Sequence, residues 1–170
     1  MRERRDFLWT VLCGFLNGIV AAAAVYAAAL LLLSICGVKP YIVLSGSMEP
    51  EIRTGSLCFI NTKAKFETAV SGDVIAFETG GGMLVTHRAV SISEGRIETK
   101  GDANDVSDGF TTNVKNYRGK VLFSIPYLGY GNYFFGKPGG KILCIATIFL
   151  NLAIRMSEKS SNKDDFFRKK

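Results

Sequence analysis

Histidine is almost missing from this 170-residue sequence; His87 is the only one. The four cysteines, Cys13, Cys36, Cys58 and Cys144, make no metal-ligand spacing with it, so neither a metal nor another cofactor is expected. Cys13 and Cys144 lie inside apolar blocks. Cys36 and Cys58 fit either a bridge outside the membrane or two free thiols, and free structural thiols are the preferred reading for all four. Repeats and low-complexity tracts are absent, and no helix-period segment of useful length precedes Ile142 outside the first apolar block. The middle of the chain also lacks a charge excess. The net charge of +6 comes largely from Arg2, Arg4 and Arg5 at one end and Arg155, Lys159, Lys163, Arg168, Lys169 and Lys170 at the other. A nucleic-acid binder concentrates cations on a folded face. Here they flank apolar segments, which argues for a membrane and against nucleic acid.

What is present begins with those segments. Phe7 to Ile35 carries no charge, and Ile19–Leu33 is rich in Ala and Leu. A span needs roughly 20 apolar residues, so this block crosses a bilayer with some tilt. Basic residues before Ala-x-Ala triplets also suit a cleavable signal peptide, but such peptides have an apolar region of only about 7–15 residues. The continuation through Leu30–Leu33 favours a retained anchor. Arg2, Arg4 and Arg5 should stay cytoplasmic, which sends the chain after Ile35 outward from the cell membrane. A second block, Ile142–Ile154, lies between Lys141 and Arg155. At about 13 residues it suits either an interfacial helix or a second span rescued by snorkelling of its flanking cations. The expected organisation is a cytoplasmic N-terminus (1–6), an anchor (7–35), an extracytoplasmic β domain (36–140), a second membrane or interfacial helix (141–155) and a basic tail (156–170).

The middle reads as strands. Tyr41–Leu44, Ser56–Ile60, Asp73–Glu78, Met83–Ser91, Arg96–Lys100 and Tyr117–Ser124 are rich in Val, Ile, Phe and Thr, and glycine-bearing turn signals punctuate them. Gly80–Gly82 should turn a hairpin. The fold class expected is mainly β: a small, coiled antiparallel sheet behind an N-terminal transmembrane helix, with a C-terminal membrane or interfacial helix.

Three motifs carry candidate chemistry. Ser45-Gly46-Ser47-Met48-Glu49-Pro50 follows an apolar strand and suits a rigid turn that exposes a hydroxyl, although Ser, Gly and Pro are also ordinary turn residues. Thr86-His87-Arg88 sits in an alternating strand. A lone histidine is usually structural, yet a serine nucleophile needs a base, and imidazole's reference pKa of about 6.5 suits that work near neutrality. Lys100-Gly101-Asp102-Ala103-Asn104-Asp105-Val106-Ser107-Asp108 lacks the glycine and terminal glutamate of an EF-hand. It remains a loop able to aim a carboxylate at His87.

In this order, an anchor, Ser-Gly-Ser-Met-Glu-Pro, Thr-His-Arg and Lys-Gly-Asp-x-Asn, the sequence resembles the endoplasmic-reticulum (ER) type of signal peptidase I. That branch is found in eukaryotes, archaea and some Gram-positive bacteria. The likeness runs from the anchor to Val121–Ser124 and on through Ile125-Pro126-Tyr127-Leu128-Gly129. The resemblance implies Ser47 as nucleophile, His87 as general base and Ser45 as an oxyanion-hole hydroxyl. It implies Asp108 as the acid orienting the histidine, and Asp102 as the aspartate of the Lys-Gly-Asp box. Ala103 stands where the family has asparagine, and Ser107 replaces one acid of a pair, so Asp102 and Asp105 remain alternatives to Asp108.

The function implied is a membrane-bound serine endopeptidase that removes N-terminal signal peptides from exported preproteins. Its partners would be those signal peptides, membrane lipid and the translocation machinery. A tether of about 12 residues at ~3.3 Å each keeps Ser47 within about 40 Å of the bilayer. Two other readings are weighed against this one. One is a catalytically silent, membrane-anchored β module of an export complex. The other is a self-cleaving, repressor-like protease, disfavoured because it uses a lysine base and has no anchor.

Overall fold

The computed structural model describes residues 2–168, and at 2, 3, 5, 6, 8, 155 and 157–168 it describes the backbone alone. The side chains of Arg2, Arg5, Arg155, Lys159, Lys163 and Arg168, and all of Lys169 and Lys170, therefore lie outside the described residues. The chain divides into two compact units, Leu30–Phe134 and the remainder.

In the remainder, helix α1 (Arg2–Ile35) contains a stretch, Trp9–Ile35, that is long and apolar enough to cross a membrane, with mean hydropathy 2.4. Helix α3 (Pro138–Arg168) runs past both ends of the expected block Ile142–Ile154. Its apolar part reaches spanning length only when counted together with helix α2 (Leu128–Gly136), across the break at Lys137. The Asn151 side-chain amide of α3 donates to Asn17 Oδ1 of α1 at 2.7 Å, which pairs two polar groups within the apolar stretches of these helices.

Leu30–Phe134 is built on one seven-stranded sheet. Strands β1 (Val38–Ile42), β2 (Leu57–Asn61), β3 (Val74–Glu78), β4 (Leu84–Ser93), β5 (Arg96–Lys100), β6 (Thr111–Thr112) and β7 (Tyr117–Ile125) take the order β1-β2-β7-β3-β4-β5-β6. Every neighbouring pair is antiparallel. The expected hairpin is present: Glu78 pairs with Leu84, and the Thr79 N–H bonds to the Met83 carbonyl at 2.9 Å.

Both faces of β2 and β3 are covered, as continuous apolar runs require. In β2, Cys58 and Ile60 pack with Met48, Ile52 and Ala76, while Leu57 and Phe59 pack on the opposite face with Val38. In β3, Ala76 joins the first cluster, and Ile75 and Phe77 form another with Ala89 and Ile97. Register shifts at Phe59/Ile60, Ala76/Phe77 and Ala89/Ser91 add the local coiling that lets one sheet wrap three clusters.

Two departures from expectation have physical causes. Strand β1 begins at Val38, earlier than the expected Tyr41, because Val38 is buried and Pro40 is tolerated on a strand that pairs only with β2. Helix α2 was not expected, since Leu128–Gly136 is glycine-rich and has no amphipathic period. A tertiary contact holds it. Gly129 is buried, its N–H donates to the Gly55 carbonyl at 3.0 Å, and a Cβ there would lie 2.6 Å from that oxygen.

Gly119 of β7 lies at φ +143°, where a Cβ would run into the Asn61 carbonyl. Gly119→Ala should therefore lower stability by roughly 1–3 kcal/mol, read as a lower Tm of the purified chain. An unchanged Tm would contradict this packing.

Candidate active site

The turn after β1 is fixed from inside. Met48 is almost wholly buried with Ile52, and the Ile52 N–H bonds to the Met48 carbonyl at 2.8 Å. Glu49 closes the turn, its Oε1 accepting from both the amide and the hydroxyl of Thr54 at 3.2 Å. With Met48 anchored in the core, Ser47 is left half-buried at the surface.

His87 arrives from β4, opposite Ile75 of β3, and the Phe77 ring meets its imidazole edge-on at 6.1 Å. Ser47 Oγ and His87 Nε2 are 3.0 Å apart, and His87 Nδ1 and Asp108 Oδ2 are 2.7 Å apart. The imidazole and carboxylate are only 10% and 6% exposed, so little water competes for these bonds. Thr99 of β5 adds a further link, its hydroxyl donating to the same Asp108 Oδ2 at 2.6 Å.

The remaining sequence candidates lie nearby in different relations. Ser45 Oγ is 3.5 Å from Ser47 Oγ. Asp102 does not reach His87; it receives Arg88 through both oxygens, Nε to Oδ1 at 2.8 Å and Nη2 to Oδ2 at 2.6 Å. Those hydrogen bonds push the Arg88 guanidinium above its ordinary value. Asp105 offers its main-chain carbonyl to Lys100 Nζ at 3.1 Å. Sequence reading missed Thr99, Phe77 and the use of Arg88, whose identities alone carry no chemical signal.

The Asp102 segment also grips the Ser47 turn. The Ala103 N–H donates to the Ser47 carbonyl at 2.9 Å, and a Cβ on Gly101 would lie 2.6 Å from that oxygen. Because Ala103 acts through its backbone, its side chain is free to differ from the family pattern. Ser107 and Ser91 donate to Glu98 and hold its carboxyl below the ordinary range. An acid at 107 would meet a like charge there.

A cleft of about 360 Å³ opens beside Ser47, lined by Tyr41, Val43, Ser45, Met48, Cys58, Leu84 and Thr86 among others. Two unpaired strand edges bound it. Strand β1 pairs only with β2, and β4 pairs with β5 only from Arg88 onward. A larger cavity of about 650 Å³ around Lys39, Phe66, Glu78 and Arg118 holds none of Ser47, His87 or Asp108. Among the described residues no group of three His, Cys, Asp or Glu side chains could hold a metal ion.

Comparison with known proteins adds to this geometry. Signal peptidase I W of Bacillus subtilis is 38% identical over 89 residues, 49% of this chain and 47% of that protein. Signal peptidase complex catalytic subunit SEC11 of Colletotrichum graminicola is 33% identical over 102 residues, 52% of this chain and 59% of that protein. The human subunit SEC11C is 33% identical over 101 residues, covering 52% of each. The chain resembles ER-type signal peptidase I. It spans about half the length of these curated relatives, and no protein-family model matches it.

None of the four cysteines forms a disulfide, so the Cys36–Cys58 bridge is not formed. Burial in the cleft wall pushes the Cys58 thiol up to about 11, whereas Cys36 is exposed. Near neutral pH Cys58 therefore carries almost no thiolate, the form that reacts. A maleimide should modify Cys36 in the folded chain and reach Cys58 only after unfolding, as read by peptide mass spectrometry. Modification of Cys58 in the folded chain would contradict its burial.

Proposed function

We propose that this chain is a membrane-bound serine endopeptidase that removes N-terminal signal peptides from exported preproteins. One observation carries the reading: Ser47, His87 and Asp108 form a continuous hydrogen-bonded chain, 3.0 Å and then 2.7 Å, beside an open cleft. A silent β module has no need of a base and a carboxylate aligned in this way behind an accessible hydroxyl.

The chemistry follows from the atoms. Neutral His87 carries its proton on Nδ1, held by Asp108, and turns the Nε2 lone pair toward Ser47 Oγ. As Ser47 attacks the scissile carbonyl, Nε2 takes the hydroxyl proton and then delivers it to the leaving amine. Water, activated by the same imidazole, hydrolyses the acyl ester. The Ser47 amide and the Ser45 hydroxyl stabilise the oxyanion, each donor contributing about 2.7–4 kcal/mol in proteases where this has been measured.

The substrate enters as an extended strand between the free edges of β1 and β4, taking backbone hydrogen bonds from both. The apolar stretch Trp9–Ile35 of α1 supplies the anchor, and the basic residues before it direct the β domain outward from the cell membrane. Two relatives carry names that make them catalytic subunits of a signal peptidase complex. Association with the translocation machinery is the corresponding proposal here.

Ser47→Ala and His87→Ala should each reduce kcat by several orders of magnitude on a preprotein substrate, and the double variant should lose little more, because the pair acts as a unit. Additive losses would count against shared chemistry. Asp108→Asn should cost on the order of 10³- to 10⁴-fold through the wrong tautomer. Asp102→Asn should chiefly lower Tm, since its carboxylate pairs with Arg88 and does not reach His87. A replacement for the imidazole would have to meet both Ser47 and Asp108 for turnover to survive. His87→Lys should not restore it.

Orientation has a separate readout. In a background without native thiols, a cysteine at Gly81 should react with a membrane-impermeant reagent on intact cells. Protection until lysis would reverse the proposed topology.

A further inference from the structure

Asp108 is carried by a loop, Gly101–Phe110, that belongs to no strand. A loop carboxylate has rotamer freedom that a catalytic orienter cannot use, since its oxygen must stay on the imidazole Nδ1. In this protein the freedom is removed by one residue of the neighbouring strand. The Asp108 N–H donates to the Thr99 carbonyl at 2.9 Å, and the Thr99 hydroxyl donates back to Asp108 Oδ2 at 2.6 Å. Backbone and side chain of Asp108 are therefore both tied to the same residue. Oδ2 is also the atom that faces His87 Nδ1 at 2.7 Å.

Thr99 is well placed to act as a fixed point. It is wholly buried in β5, opposite Ala89 of β4, and Ala89 lies two residues from His87 on the same face. β-Branching leaves its χ1 stiff, so the hydroxyl direction is set by the strand. The donor cannot swing to water, and Asp108 cannot turn away without leaving a buried hydroxyl unpaired.

We infer that Thr99 is a positioning residue for catalysis: by clasping Asp108 it holds the His87 ring in the tautomer with its proton on Nδ1 and its Nε2 lone pair toward Ser47. The inference rests on the proposed triad, but it makes a claim about His87 that can be read without turnover.

Because His87 is the only histidine in the chain, imidazole ¹⁵N resonances of histidine-labelled protein report this one ring. The experiment compares the full-length chain in detergent with Thr99→Val, which keeps the shape and removes the hydroxyl, and Thr99→Ser, which keeps the hydroxyl. In the parent and in Thr99→Ser, neutral His87 should show a protonated Nδ1 and a bare Nε2, with parental kcat on a preprotein substrate. In Thr99→Val the two tautomers should mix, and kcat should fall roughly ten- to a hundredfold with KM unchanged, the loss of one charged hydrogen bond. If Thr99→Val does not fold, Thr99→Ala takes its place against Thr99→Ser. Parental tautomer and kcat in a folded hydroxyl-free variant would overturn the inference. So would equal losses in the variants that keep and lack the hydroxyl. A parent with the Nδ1-protonated ring but no turnover would instead count against the proposed reaction, so the two failures are distinguishable.

Discussion

The hydrogen bond from the Ala103 N–H to the Ser47 carbonyl, 2.9 Å long, is the constraint on which the site depends. Ser47 and His87 are 40 residues apart in sequence, and His87 and Asp108 are 21 apart. Each loop between them has its own closure entropy, and no local preference brings the three side chains together. Pinning the Ser47 main chain to the segment that leads on to Asp108 joins the serine and the carboxylate directly. Strand β4 then only has to present His87 between them. Gly101 allows this approach because a side chain there would occupy the space of the Ser47 carbonyl. Arg88 and Asp102 hold the same segment from its other side.

The sheet makes that constraint affordable. Strands β2 and β3 bury both faces, and Met48 plugs the Ser47 turn into one of the apolar clusters between them. At the rims, β1 and the start of β4 leave unpaired edges around the cleft. Unpaired edges invite aggregation unless something fills or protects them. On the proposed function, an extended substrate adding as a strand would give these edges a use.

Much of the fold was legible because strand propensity, turn glycines and the long uncharged block are local signals. The strand Arg96–Lys100 and the hairpin at Gly80–Gly82 were read directly from composition and punctuation. Helix α2 was not, because its formation depends on Gly129 meeting the carbonyl of Gly55, a contact distant in sequence. The site divides in the same way. Ser45, Ser47 and His87 could be picked out from motifs, but three nearby acids look alike in sequence. Only the loop path separates Asp108, beside His87, from Asp102, beside Arg88. Thr99 was invisible for a similar reason, since a threonine in a strand is unremarkable until a carboxylate folds over it.

The proposed reaction is the removal of signal peptides from preproteins by Ser47, His87 and Asp108. The most direct measurement is the N-terminus of the product, read by mass spectrometry after the purified full-length chain meets a preprotein in detergent. The account predicts one cut at the end of the signal peptide, absent when Ser47→Ala replaces the parent. A preprotein left intact by the parent, or cut equally by Ser47→Ala, would contradict it.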